Sequence, residues 1–119
     1  MKNRIDACFE KLKAENKKAL VTFITAGDPD MDTTEKCVLE MYKNGSDIIE
    51  IGVPFSDPIA EGATIQKASL RSLSGGTNLD KIFDLVRKLR TQTDKPMLLM
   101  MYINTCLLYT SPSPRDRSV

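Results

Sequence analysis

Histidine is absent from all 119 residues of the chain. Its absence excludes, within this sequence, Ser-His-Asp and Cys-His activation of a nucleophile and any histidine-ligated metal, and leaves carboxylates, lysine, tyrosine and cysteine for acid-base work. Cysteine is scarce. Cys8, Cys37 and Cys106 are odd in number, widely separated and without a CxxC spacing, which argues against both a disulfide framework and a zinc site. A strong charge of either sign is missing too: 17 basic and 16 acidic residues leave +1, so nothing draws the chain toward nucleic acid or membrane. No apolar run exceeds strand length, and the opening "MKNRIDACFEKLKAENKK" is charged and amphipathic rather than a signal peptide. The expectation is a soluble, cytoplasmic chain holding one domain or part of one.

What is present alternates between two periods. Ile5, Phe9 and Leu12, with Cys8 beside them, recur at helical spacing. "ALVTFITA" (19–26) then reads as a strand with Val21, Phe23 and Thr25 on one face and Leu20, Thr22 and Ile24 on the other. "GDPDMDTT" supplies turn and N-cap residues, Cys37, Val38 and Met41 mark a helix to about Asn44, and Gly45 ends it. "DIIEIGV" is a second strand. Ile82, Leu85, Val86 and Leu89 predict a helix within 77–92 capped by Thr77 or Asn78, and "KPMLLMMY" (95–102) predicts a third strand. Strands that read as apolar on both faces and alternate with helices imply a parallel sheet, either doubly wound or part of an eight-stranded barrel. Periodicity does not choose between them. Both place ligands beyond the carboxyl ends of the strands, where Glu50 and the loop 53–62 fall.

Glu50 is the sharpest candidate. Strand alternation puts it on one face with Ile48 and Gly52, among apolar neighbours. A strand-end carboxylate that reaches solvent or pairs with a lysine is the plain structural alternative. Catalysis is favoured because burial suits a carboxyl to exchange protons near neutrality, whereas an idle buried charge is costly.

"TFITAGDPD", "IEIGVPFSDPIAEGATIQKASLRSL" and "MMYIN" resemble, in order and spacing, the tryptophan synthase alpha chain family, over residues 1 to about 104. The middle motif is long and specific; the GDP and MxYxN elements are weak alone. The resemblance implies a TIM-type eight-stranded β/α barrel and a lyase that cleaves indole-3-glycerol phosphate to indole and glyceraldehyde 3-phosphate by a retro-aldol reaction. It carries the acid-base role onto Glu50, and onto Glu61 the carboxylate that accepts the ring N–H hydrogen bond. Phe23 and Tyr102 match positions lining the indole pocket, and without the resemblance either reads equally well as core. Asp57 matches an aspartate that positions a loop further along the barrel, or else serves its own turn by holding backbone amides. No cofactor or metal is implied in this chain, pyridoxal phosphate belonging to the partner beta chain of an alpha2-beta2 heterotetramer.

Two departures stand out. Where the family has "ADGP" this chain has "AEGA", so Glu61 is longer than the usual aspartate by one methylene, about 1.5 Å of bond. From residue 105 the chain reads "TCLLYTSPSPRDRSV", with Ser-Pro repeats and no periodic pattern, and "CLLYTSPSPRD" resembles translated sequencing-adapter read-through. The expected organisation is therefore a partial barrel domain over 1–104, about three β/α units plus an N-terminal helix, and a foreign, unstructured tail over 105–119. A barrel of this type takes ~250 residues and commonly holds substrate phosphate in loops after its seventh and eighth strands. "SGG" at 74–76 is too short to replace them, so the chain alone is expected to be inactive, with exposed strand edges. Two alternatives are a module that only binds the beta chain and another phosphate-binding barrel; the PFSDP motif disfavours the second.

Overall fold

The computed structural model describes residues 3–55 and 62–101. The elements run α1 (Arg4–Ala14), β1 (Val21–Thr25), α2 (Met31–Lys43), β2 (Ile48–Gly52), α3 (Ala63–Ser74), α4 (Leu79–Arg90) and β3 (Met97–Met100). Local chemistry fixes their ends. The side chains of Asn3, Asp30 and Asn78 accept from the backbone N–H of Asp6, Thr33 and Lys81, capping α1, α2 and α4. Beyond α2, Gly45 takes φ +115°, a conformation a side chain would strain. α3 has no expectation behind it from periodicity, because its buried residues are Ala68, Ser69 and Ser72 rather than an apolar stripe.

The three strands are parallel and lie in chain order, β1-β2-β3. Three strands in that order fit either winding, since each half of a doubly wound sheet also adds its strands in sequence with the helices on one face. Here Val38 and Tyr42 of α2 and Leu79, Ile82, Leu85 and Leu89 of α4 pack in one cluster with Ile49 and Ile51 of β2. The pairing register puts Ile49 beside Thr22 and Met97, and Ile51 beside Ile24 and Leu99, so these rows form the helix-covered face.

The opposite face is bare. It carries Val21 (45% exposed), Phe23 (38%), Leu98 (38%) and Met100 (47%). Only central β2 is buried on both faces, through Ile48, Ile49, Ile51 and Gly52. β1 and β3 are the outer strands, and their bare-face side chains have fewer neighbours to lie against. The helical spacing of Ile5, Phe9 and Leu12 is realised in α1, where Leu12 is buried and Phe9 is 49% exposed. The strands are also shorter than their apolar runs, since Leu20 and Pro96 lie just outside β1 and β3.

Candidate active site

Glu50 occupies the middle of β2 on the bare face. Its register partners are Phe23 on β1 and Leu98 on β3, so a half-buried carboxylate stands between two apolar side chains. Among the described residues it makes no hydrogen bond or ion pair. A carboxylate so placed is partly stripped of water and has no side-chain partner among the described residues, which suits it to meet an exogenous group. The alternative of pairing with a lysine is not realised among the described residues.

One step further along the same face, Gly52 does something that strand alternation did not show. A Cβ there would stand 2.5 Å from Cζ and 2.9 Å from Cε2 of Phe23. The missing side chain lets the Phe23 ring lean across the sheet toward the carboxyl ends of the strands, forming an aromatic wall on the side of Glu50. A glycine inside a strand is a recognised sign of such close approach, and this was the available signal.

The loop after β1 closes the same end of the sheet, and it is anchored by three side chains of two helices. Thr34 of α2 donates its hydroxyl to the Asp30 carbonyl (2.8 Å) and accepts from Gly27 N–H (2.9 Å). Ser72 of α3 donates to the Ala26 carbonyl (2.5 Å). Arg71 grips Asp28 with both arms, Nε to Oδ1 at 2.8 Å and Nη2 to Oδ2 at 3.0 Å, and the aspartate raises the guanidinium pKa further by hydrogen bonding and charge. Gly27, at φ +81°, fits where a Cβ would meet Thr77 Oγ1 at 2.1 Å. Thr34, Arg71 and Ser72 carried no functional expectation from sequence. All are polar side chains on helices, where a solvated role is the default.

Of the other expected site residues, Asp57, Glu61 and Tyr102 lie outside the described residues, as do Asn104 and the tail 105–119. The "SGG" segment is a helix end: Gly75 caps α3 and Gly76 follows at φ +88°. A cleft of about 680 Å³ opens at the other end of the sheet, lined by Cys8, Lys11, Leu12, Leu20, Asp47 and Lys95 among others. It faces the amino ends of the strands, remote from Glu50, where barrel chemistry is not found.

Comparison with known proteins gives one consistent result. The family model described as tryptophan synthase alpha chain matches residues 9–113, a stretch that runs past Asn104. The tryptophan synthase alpha chain of Geotalea uraniireducens is 57% identical over 107 residues, covering 90% of this chain and 40% of that protein. That of Caldanaerobacter subterraneus is 51% identical over 107 residues, with 90% and 41% covered. Among solved structures, tryptophan synthase subunit alpha from Legionella pneumophila superposes with a TM-score of 0.89 at 43% identity, over 92% of this chain and 42% of that one. A tryptophan synthase complex from Pyrococcus furiosus gives 0.72 at 38% identity, over 77% and 38%. The chain thus spans about 40% of the length of the curated relatives it matches. The sequentially ordered parallel sheet is the N-terminal portion of a TIM-type β/α barrel, and no helix among the described residues is long and apolar enough to cross a membrane.

Proposed function

The chain belongs to the tryptophan synthase alpha chain family, and from that premise we propose that it carries the acid-base part of a carbon-carbon lyase acting on indole-3-glycerol phosphate. The observation that carries this reading is the half-buried Glu50 between Phe23 and Leu98, whose carboxylate has no partner among the described residues. Retro-aldol cleavage moves two protons. One is added to the indole ring carbon that holds the glycerol chain; the other leaves the side-chain hydroxyl next to the breaking bond. As the bond cleaves, its electron pair remains with the indole carbon and the hydroxyl-bearing carbon becomes the aldehyde of glyceraldehyde 3-phosphate. A single carboxyl that donates at one site and accepts at the other serves both transfers, and Glu50 is that group.

Protonating the ring carbon places positive charge on the ring nitrogen. Glu61, as a carboxylate accepting the ring N–H, stabilises that charge, with Phe23 and Tyr102 against the indole faces and Asp57 positioning a neighbouring loop. None of these steps calls for a cofactor in this chain; pyridoxal phosphate is assigned to a partner beta chain in an alpha2-beta2 assembly, and the location to the cytoplasm. On this reading residues 1–119 alone release no measurable indole, because remote binding energy from a phosphate grip is what holds the reacting centre in place.

The test is Glu50→Gln in a full-length alpha chain made by joining residues 1–101 to the remainder of the Geotalea uraniireducens relative. Indole release is expected to vanish while substrate affinity stays within about tenfold, since the amide keeps the shape and loses the proton. Retained turnover, or a loss of affinity equal to the loss of rate, refutes the assignment.

A further inference from the structure

We propose that the Thr25 hydroxyl is a substrate contact for this reaction: it hydrogen-bonds the second hydroxyl of the glycerol chain, one carbon beyond the hydroxyl that Glu50 deprotonates. The proposal rests on the acid-base reading of Glu50.

Three observations lead to it. Alternation along β1 puts Thr25 on the bare face with Val21 and Phe23, yet Thr25 is only 7% exposed where Val21 is 45% and Phe23 38%. It is the enclosed residue of an open strand face. Beyond the strand ladder its carbonyl accepts from the Asp28 N–H (3.4 Å), and its hydroxyl has no partner among the described residues. The buried hydroxyls of Thr34, Ser46 and Ser72 are all hydrogen-bonded; Ser69, the other without a described partner, sits on α3 and not on the sheet. Across the sheet Thr25 is registered with Gly52, which brings no side chain, and the Phe23 ring fills the space above that glycine. An enclosed hydroxyl with a glycine and an aromatic ring for neighbours is costly unless a ligand completes it, since valine would occupy the same volume with no polar atom to satisfy.

Position and chemistry then select the ligand group. Register places Phe23, Glu50 and Leu98 in one row and Thr25, Gly52 and Met100 in the next, one step closer to the carboxyl ends where barrel ligands sit. Two residues along a strand and one strand across separate the Cα atoms of Thr25 and Glu50 by about 8 Å. A ligand bearing hydroxyls on neighbouring carbons can bridge such a gap with a hydrogen bond of about 2.8 Å at each end. Indole-3-glycerol phosphate offers a ring N–H, two chain hydroxyls and a phosphate. The ring N–H is assigned to a carboxylate and the hydroxyl beside the breaking bond to Glu50. The phosphate needs charge or a cluster of backbone N–H groups, which a lone neutral hydroxyl does not supply. The second chain hydroxyl is what remains, and a threonine hydroxyl, able to donate or accept, suits it.

The experiment uses the same full-length joined chain, with indole-3-glycerol phosphate and an analogue lacking the second chain hydroxyl. The analogue can still undergo retro-aldol cleavage, because the hydroxyl that becomes the aldehyde is kept. Removing either hydroxyl, by Thr25→Val or by the analogue, is expected to lower kcat/KM for indole release by about 10- to 100-fold, and removing both costs no more than removing one. Thr25→Ser, which keeps the hydroxyl, stays within about threefold of wild type. The urea midpoint of Thr25→Val is expected to equal or exceed that of wild type, which a hydroxyl serving the fold would reverse. A lowered midpoint or loss of folding gives the hydroxyl a partner in the protein and overturns the proposal. So does an unchanged kcat/KM in Thr25→Val, or discrimination against the analogue that is equal in Thr25→Val and wild type. If any of these is seen while Glu50→Gln is inactive, the contact is wrong and the acid-base reading stands. If Glu50→Gln is active, both fall.

Discussion

The two faces of the sheet are built from equally apolar sequence and end in different states. Ile49 and Ile51 are fully buried under α2 and α4, whereas Phe23 and Leu98, one residue out of phase, are each 38% exposed. The covered face holds the fold; the bare face holds Glu50. A row of apolar side chains left open around one carboxylate with no partner among the described residues is the feature on which the proposed site rests. Hydrophobicity alone therefore does not mark a core, and what separates the two faces is whether helices of the same chain reach them.

The largest effect expected from this difference is on the covered face. Ile51→Ala should cost about 2–5 kcal/mol in urea unfolding, because the void sits among Val38, Ile82 and Leu89, which are themselves fully buried. For a single three-stranded layer that is a large share of the total, so the thermal transition should broaden or disappear. A cost below about 1 kcal/mol would mean that the helix layer is not packed as the contacts imply.

Much of this was legible in the sequence, and the misses have physical causes. Alternation placed Glu50 with Ile48 and Gly52 because strand side chains have a strict period of two, and the register bears it out. Asn78 and the "GDPDMDTT" segment announced α4 and α2 through their capping chemistry. Strand order could not be read, since both windings share one alternating pattern of strands and helices. α3 was invisible because it buries Ala68, Ser69 and Ser72, small residues that suit close approach and give no apolar period. Phe9 is the converse: its spacing marked α1 correctly, yet its ring is 49% exposed. Asp57, Glu61 and Tyr102 were legible only through resemblance, and they fall outside the described residues.

The next effect tests the covered layer through pH. The Tyr42 phenol is pushed up from the usual 10.0 to about 12, chiefly by burial, and its hydroxyl donates to the Pro96 carbonyl. In the unfolded chain the phenol ionises near its ordinary value, while the folded chain holds the proton longer. The stability it contributes is thus fully present below pH 10 and is lost as pH rises through about 12. Urea midpoints taken across that window should fall, and Tyr42→Phe should flatten the slope. An unchanged slope in the variant would assign the alkaline loss to other groups.

Smaller still is the response of Gly52→Ala. The new Cβ cannot sit 2.5 Å from Phe23 Cζ, so the ring must swing outward. Because that side is open, the cost should be only about 1 kcal/mol, the low end of overpacking penalties. The informative readout is the ring's own NMR shifts, which should move although stability hardly does. In the full-length joined chain the same change should raise KM, the aromatic wall having been displaced from Glu50. Unmoved Phe23 resonances would show that the ring does not lie over Gly52.

The smallest expected effect is on the bare face, and its value lies in measuring it twice. Leu98 is paired with Glu50 across β2–β3 and is partly open to solvent, so Leu98→Thr in residues 1–119 loses little buried area and gains a side chain well suited to a strand. Its cost should stay within about 1 kcal/mol, with less self-association in sedimentation because an apolar patch beside an unpaired edge has been broken. In the full-length joined chain the same residue faces a closed interior. There it loses both apolar burial and the freedom of its hydroxyl to meet water, and the cost should rise by about 2 kcal/mol. The difference between the two contexts isolates what closure of the barrel adds to this face. Equal costs in both would mean that Leu98 never becomes interior, and the bare face would then be a surface of the whole protein rather than the wall of its site.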